Sequence, residues 1–381
     1  MSTHRGAAGG IVLLAFLCLT LKAAPPSAPA GETSVFGDPP PAWLAGQVQA
    51  TGMGQGLFIR LSPDGSRVLY TRPKPQAVAA PDQRGETEAE LFLRELATGK
   101  ETAIPLPPTR MSWKPVFTKI NCFDPTGQKL VLADIDATGR GPRARTEVVL
   151  YDIASGKLTH IGLHGMDFLA RFDWTGKRLV FEDHPEAPRD GNLSVATVAE
   201  LKARPLAGRG EITSVCPAAD VITLLIDNPG QNQGMVLYDF ANDKQLAALP
   251  LHPKYSSGPE PKWTADGRYL CYSDFKDGPA GGKDNFLPIV HIYDRVAQKE
   301  VAVLDDAAGP AGPGPTPTTM VLAVNKDHRP AIALYDAATG RTEPLGDAGW
   351  YPLDACGKRL LFMKLDTPGV FVVPLLPPHK D

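Results

Sequence analysis

Four carboxylates stand at one register of a repeated pattern: Asp134, Asp183, Asp227 and Asp274, each seven positions after the residue that ends a tight turn. Carboxylates gathered on one rim would attract a cation, a basic partner or the hydroxyls of a sugar. The same residues also suit turn starts, because a short acidic side chain bonds backbone N–H groups just downstream. Asp227-Asn228-Pro229-Gly230 and the stretch from Asp274 to Gly278 have that composition. A second register, five positions before the turn end, holds Arg60, Arg171 and Lys262. Three cations on the innermost strands of a ring would point into its channel and hold an anion or carboxylate. The alternative is that they pair with carboxylates of neighbouring repeats or extend their heads to solvent.

Neither set forms a reaction centre by linear motif. There is no G-x-S-x-G, no H-E-x-x-H and no G-x-x-x-x-G-K-[ST]. His160 and His164 have the spacing of two ligands on a helix, but their surroundings read as strand and loop. Cys122, Cys216, Cys271 and Cys356 contain no C-x-x-C pair and fall in four different repeats. They read as buried or half-buried free thiols. Trp174 and Trp263 sit beside turns and read as blade-packing aromatics rather than sugar platforms. No metal and no cofactor is implied.

The elements that must position these residues announce themselves by a recurring turn. Ser62-Pro63-Asp64-Gly65, Asp124-Pro125-Thr126-Gly127, Asp173-Trp174-Thr175-Gly176, Thr264-Ala265-Asp266-Gly267 and Asp354-Ala355-Cys356-Gly357 are variants of one tetrapeptide. Each leads into an apolar run such as Val68-Leu69-Tyr70 or Leu179-Val180-Phe181. Between copies, Leu150-Tyr151-Asp152, Leu237-Tyr238-Asp239, Ile292-Tyr293-Asp294 and Leu334-Tyr335-Asp336 each run into a second polar turn. Short strands repeating every few tens of residues predict an all-β propeller of four-stranded antiparallel blades. The interval from Gly267 to Gly357 is twice the usual step, so one turn is hidden, placed at Gly309 to Pro315. That gives seven blades, with six as the alternative. The last repeat shows only three strands, and Gln47 to Thr51 is expected to supply its fourth.

With strands A to D running from the centre outward, the A–B and C–D turns are short. The B–C connections are long: Arg72 to Glu88, Asp134 to Arg145, Asp183 to Gly191, Asp274 to Phe286. The connections between blades, Pro105 to Pro115 and Leu251 to Pro261, emerge on the same face. Long loops on a rigid scaffold are where binding concentrates.

The chain has 381 residues, 37 Gly and 38 Pro, which suits a protein built of tight turns. A net charge of −3 argues against nucleic acid. Arg5, the apolar run Ile11 to Leu21 and the small residues Ala28-Pro29-Ala30 read as a signal peptide over residues 1–30. Export to the periplasm or the exterior is therefore expected, with no membrane span after processing. Residues 31–45 read as a Pro- and Gly-rich linker, and 46–381 as the propeller, expected to be a monomer.

On Ser62-Pro63-Asp64-Gly65, Ala97-Thr98-Gly99-Lys100, Asp152 with Gly156-Lys157 and Asp336 with Gly340, the chain resembles the TolB-type, WD40-like (PD40) propeller repeat family. The resemblance covers roughly residues 46–376. It implies the propeller fold and leaves the role open, because this repeat serves many roles. The α/β domain that precedes such a propeller in TolB has no counterpart in the short linker here. The expectation is a non-catalytic scaffold that binds a protein or peptide on its long-loop face. The alternative is a glycan-binding or glycan-cleaving propeller with a site at the channel mouth.

Overall fold

A computed structural model describes residues 48–53, 59–73, 87–105, 109–111, 123–136, 145–165, 170–183, 192–226, 234–252, 261–278, 286–305, 307–326, 329–346, 349–367 and 369–375. These residues form seven antiparallel sheets, the blades of a propeller. Blade 1 comprises Ile59–Leu61, Arg67–Pro73, Thr87–Glu95 and Glu101–Ala103, with Thr109–Met111 added beside the start of its third strand. Blade 2 comprises Lys129–Asp136, Arg145–Asp152 and Lys157–Gly165. Phe123 bridges to Leu130 where its innermost strand belongs. Blades 3 to 6 have four strands each and begin at Ala170, Glu211, Lys262 and Ala307.

Blade 7 is made from both ends of the described chain. Trp350–Ala355, Arg359–Lys364 and Val370–Pro374 are joined by Gln49–Ala50, paired Gln49 to Val372 and Ala50 to Phe371. The expected closure and the count of seven are both observed.

The turns form for the reason their composition gave. Asp124 Oδ1 accepts from the backbone N–H of Gln128 and Lys129, both at 2.8 Å, and Asp173 Oδ1 does the same for Lys177 and Arg178. Gly127 and Gly176 follow with φ of 69° each, a conformation glycine adopts without strain. The hidden turn is corrected. Ala307–Pro313 is the innermost strand of blade 6, and the turn lies just after it, where Gly314 donates to Thr319 and Thr319 to Thr316. Proline is tolerated there because an edge strand has N–H groups with no ladder partner to lose. Gly312 is required by crowding: a Cβ at that position would meet the Ala355 carbonyl oxygen at 2.2 Å.

The core is divided among the seams. Each of seven apolar clusters draws on two adjacent blades, so that Val131, Val148 and Leu150 of blade 2 pack on Leu179 and Phe181 of blade 3. The ring closes in the same way, with Leu61 and Tyr70 of blade 1 against Leu361 and Val372 of blade 7. Full burial of each such side chain stabilises by about 1.5–3 kcal/mol. No blade can bury its faces without both neighbours.

Candidate functional site

The two rims of the ring differ in how much of them is tied down. On the rim of the A–B turns, each turn touches the next across the seam. Arg67 Nη1 donates to the Gly127 carbonyl at 3.0 Å. The position of Gly176 abuts Pro125. Trp174 Nε1 donates to Asp220 Oδ1 at 2.7 Å, and Arg178 pairs with both Asp173 and Asp220. Cys216 Sγ lies 3.4 Å from the Gly267 carbonyl, Asp266 N–H donates to Pro317, and Gly357 N–H donates to Pro313. Gly65 abuts Cys356 and Arg359 and completes the belt. Trp174 is thus not packed between blades as expected; it is 42% exposed and spans two turns. Trp263 is buried and donates to Ser214 Oγ across the seam, as expected of a packing aromatic.

The opposite rim carries the B–C connections. Between the paired strands these are residues 74–86, 137–144, 184–191, 227–233 and 278–285 in blades 1 to 5, but only 327–328 and 365–369 in blades 6 and 7. Three of the four register carboxylates lie at this end of their blades: Asp134 opposite Glu147, Asp183 opposite Asn192, Asp274 opposite Ile289. Asp227 lies outside the described residues. Arg72, at the same register in blade 1, is engaged. Its Nη2 donates to Glu101 Oε2 at 2.8 Å and to the Tyr70 hydroxyl, and its guanidinium lies 4.4 Å from the Phe92 ring centroid.

Asp274 is not a turn starter. Its strand runs on to Asp277, and the carboxylate is buried. It accepts from the backbone N–H of His252 at 2.6 Å and so fastens the blade 4-to-5 connection. Its second neighbour is His291 on the adjacent strand, whose Nε2 lies 3.6 Å away. His291 Nδ1 is 2.5 Å from Glu300 Oε2 on the outermost strand, and its ring stacks on Tyr272 with centroids 4.9 Å apart. Burial opposes a charge on His291, but the carboxylates of Asp274 and Glu300 outweigh it, and its pKa is raised. Burial pushes the Tyr272 phenol up as well. His291 thus stands between two acids, Asp274 and Glu300, and the cluster ties three strands and one inter-blade connection together. His252 extends the cluster outward, with Nε2 3.5 Å from Asp277 Oδ1.

The register cations occupy one rung of three alternate blades: Arg60 opposite Leu69, Arg171 opposite Val180, Lys262 opposite Cys271. Arg60 and Lys262 are half-buried. Arg171 is 2% exposed, and its Nη2 reaches the Ile212 carbonyl of blade 4 at 3.4 Å. The buried Glu182 of blade 3 accepts from the N–H of the same residue. Arg171 therefore reaches a backbone carbonyl across a seam, where the sequence offered a neighbouring carboxylate or solvent.

Among the described residues no group of three or more His, Cys, Asp and Glu is placed to hold a metal ion. Cys216 and Cys271 are buried free thiols and Cys356 a half-buried one; Cys122 lies outside the described residues. The sequence reading missed His291, Glu300 and Glu182. The one available signal was His291 beside the Ile292-Tyr293-Asp294 repeat, a polar residue in a run otherwise apolar.

No protein-family model matches the chain, and no curated protein matches it in sequence. Solved structures do match. The chain is similar to an oligogalacturonate lyase solved with manganese, at 12% identity over 90% of this chain and 96% of the other, with a TM-score of 0.54. It is similar to the β-propeller domain of the Trilobed protease from Pyrococcus furiosus, at 11% identity over 84% and 94%, with a TM-score of 0.53. That domain is described as having an open velcro topology, whereas here both ends of the described chain meet in blade 7. TolB from Acinetobacter baumannii matches at 13% identity and a TM-score of 0.36, over 84% of this chain and 54% of TolB. At these identities the likenesses to the lyase and to the Trilobed-protease domain establish the fold alone.

Proposed function

We propose that this chain is an exported, non-catalytic β-propeller that holds a protein or peptide partner on the rim of its B–C and inter-blade connections. The observation that carries the reading is the inequality of the rims. One is locked turn to turn through all seven seams. The other carries connections of variable length, long in blades 1 to 5 and short in blades 6 and 7. A rigid ring with one variable crescent suits docking, because the scaffold does not have to order itself on binding. Asp274, fixed by His252 and His291, would hold that rim's shape at the blade 4–5 junction.

The test immobilises the chain from residue 31 onward and exposes it to an envelope or secreted fraction of the native cell. Bound proteins are compared by mass spectrometry with those held by two variants. One replaces residues 74–86 and 184–191 with connections as short as that of blade 6. The other is Trp174→Ala on the belted rim. A partner lost only with the first variant is the expected result. A partner that ignores both changes, or is lost only with Trp174→Ala, overturns the reading. N-terminal sequencing of the native protein checks export, with a start between residues 24 and 32 expected.

A further inference from the structure

Blade 3 ends in an irregular strand. In its ladder Asn192 pairs with Arg209 and Ser194 with Pro205, so Leu206 to Gly208 form a bulge in the strand. The freed N–H groups cross the seam. Ala207 donates to Asp243 Oδ1 at 2.7 Å and Gly208 to the Tyr238 hydroxyl at 2.9 Å, while that hydroxyl donates to Asp243. Gly208 is needed there, since a Cβ would meet the Tyr238 ring at 2.7 Å. Bulges of this kind re-aim a strand and concentrate beside functional sites. Burial, then the bond to Asp243, pushes the Tyr238 phenol up to about 12, so it remains a proton donor.

Between this bolted bulge and blade 4 lies a cleft of about 490 Å³. Leu224, Ile226 and Val236 give it an apolar wall, and Arg209 and Gln245 stand at its exposed margin. Neither Arg209 nor Gln245 has a side-chain hydrogen bond or ion pair among the described residues. Asp243, the acid in the lining, is already committed to Tyr238 and Ala207. The open charge of the cleft is therefore the guanidinium of Arg209. A guanidinium beside an apolar wall calls for a carboxylate and an apolar group held close together, with Gln245 free to meet an amide. The volume lies within the range of about 300–1,000 Å³ of small-ligand sites, room for a few residues of chain rather than a protein surface.

We propose that this cleft binds the C-terminal end of a peptide whose last residue is apolar. The terminal carboxylate pairs with Arg209, and the last side chain lies on Leu224, Ile226 and Val236. Such a residue carries both required groups on one Cα. The cleft lies on the side of the ring, and the proposal does not depend on the rim reading.

The test measures binding, by fluorescence polarisation at 0.15 M salt, of N-terminally labelled Gly-Gly-Ala-X tetrapeptides with X as Leu, Ile, Val or Phe. Each is compared with its C-terminally amidated copy. At least one free acid is expected to bind at least tenfold more tightly than its amide. Arg209→Gln is expected to weaken it at least tenfold, and Ala207→Trp, which fills the mouth, to abolish it. Both positions are exposed, so the melting temperature should hold. Equal binding of acid and amide, no binding by any of the four acids, or full binding by Arg209→Gln overturns the proposal. So does N-acetyl-leucine displacing the tetrapeptide with the tetrapeptide's own affinity, which would make the ligand a small carboxylic acid.

Discussion

Asp354, in the last blade, accepts a hydrogen bond at 2.7 Å from the backbone N–H of Leu61, in the first. The same device recurs at other seams. Glu182 of blade 3 accepts from the N–H of Ile212 in blade 4, and Ser273 of blade 5 donates to the Ala308 carbonyl of blade 6 at 3.3 Å. An innermost strand has one backbone edge with no ladder partner. A polar side chain from the preceding blade meets groups on that edge.

Replacing Asp354 with Ala leaves the buried Leu61 N–H unmatched and is expected to cost about 1–3 kcal/mol. Urea unfolding measures it. Glu182→Ala should cost at least as much, because it orphans Ile212 and removes the acid that shares that residue with the buried Arg171. If both variants unfold at the wild-type midpoint, the seams do not rely on these bonds.

His291 makes stability pH-dependent with a definite sign. Its pKa is raised in the folded chain, so its contribution is complete below its ordinary value of 6.5 and is lost as pH rises through the folded value. The stability gap between wild type and His291→Gln is therefore expected to be larger at pH 5.5 than at pH 9. A gap that widens on going alkaline would contradict the bridge to Asp274 and Glu300.

Glu101 has the opposite sense. Burial opposes its ionisation, but the Tyr70 hydroxyl and the guanidinia of Arg72 and Arg94 prevail and hold its pKa at about 2, below the ordinary 4.5. What it contributes is present above pH 4.5 and is lost as pH falls toward 2. Acid titration of wild type against Glu101→Gln should show the two curves converging over that window. Solvent screening keeps the effect modest, since a quarter of the side chain is exposed.

Gly312→Ala is expected to destabilise by about 1–3 kcal/mol or more, because its Cβ would strike the Ala355 backbone across the blade 6–7 seam. Gly340→Ala, where a Cβ meets nothing within 4 Å, strains only a backbone at φ 74° and should cost less. Thermal unfolding of the pair ranks them, and a reversed order would show that the seam yields.

The repeat was legible because its signals are local. A turn of Asp and Gly, an apolar run and a Tyr-Asp step each sit within a few residues. Gly309 to Pro315 was misread because Gly and Pro mark turns in most contexts. Here they form an inner edge strand that passes Ala355 at close range. The side-chain roles were less legible because they are set across seams. Nothing near Asp274 in sequence points to the amide of His252, and a register shift between Ile292 and Tyr293 is what sets Glu300 against His291. The bulge at Leu206 to Gly208 gave no local signal beyond Gly208 and Gly210.

The closure of blade 7 has a mechanical consequence. Gln49 pairs with Val372 and Ala50 with Phe371, so the incoming and outgoing chains leave the blade side by side at the same end. A pull that separates them loads the Gln49 rung first and then the Ala50 rung, as a zipper rather than as a sheared sheet. Beyond those rungs the load passes to Thr51, whose N–H and hydroxyl both bond the Val370 carbonyl. Under tension the ring is a clasp that opens at one site inside blade 7, while each seam between blades stays backed by its own apolar cluster.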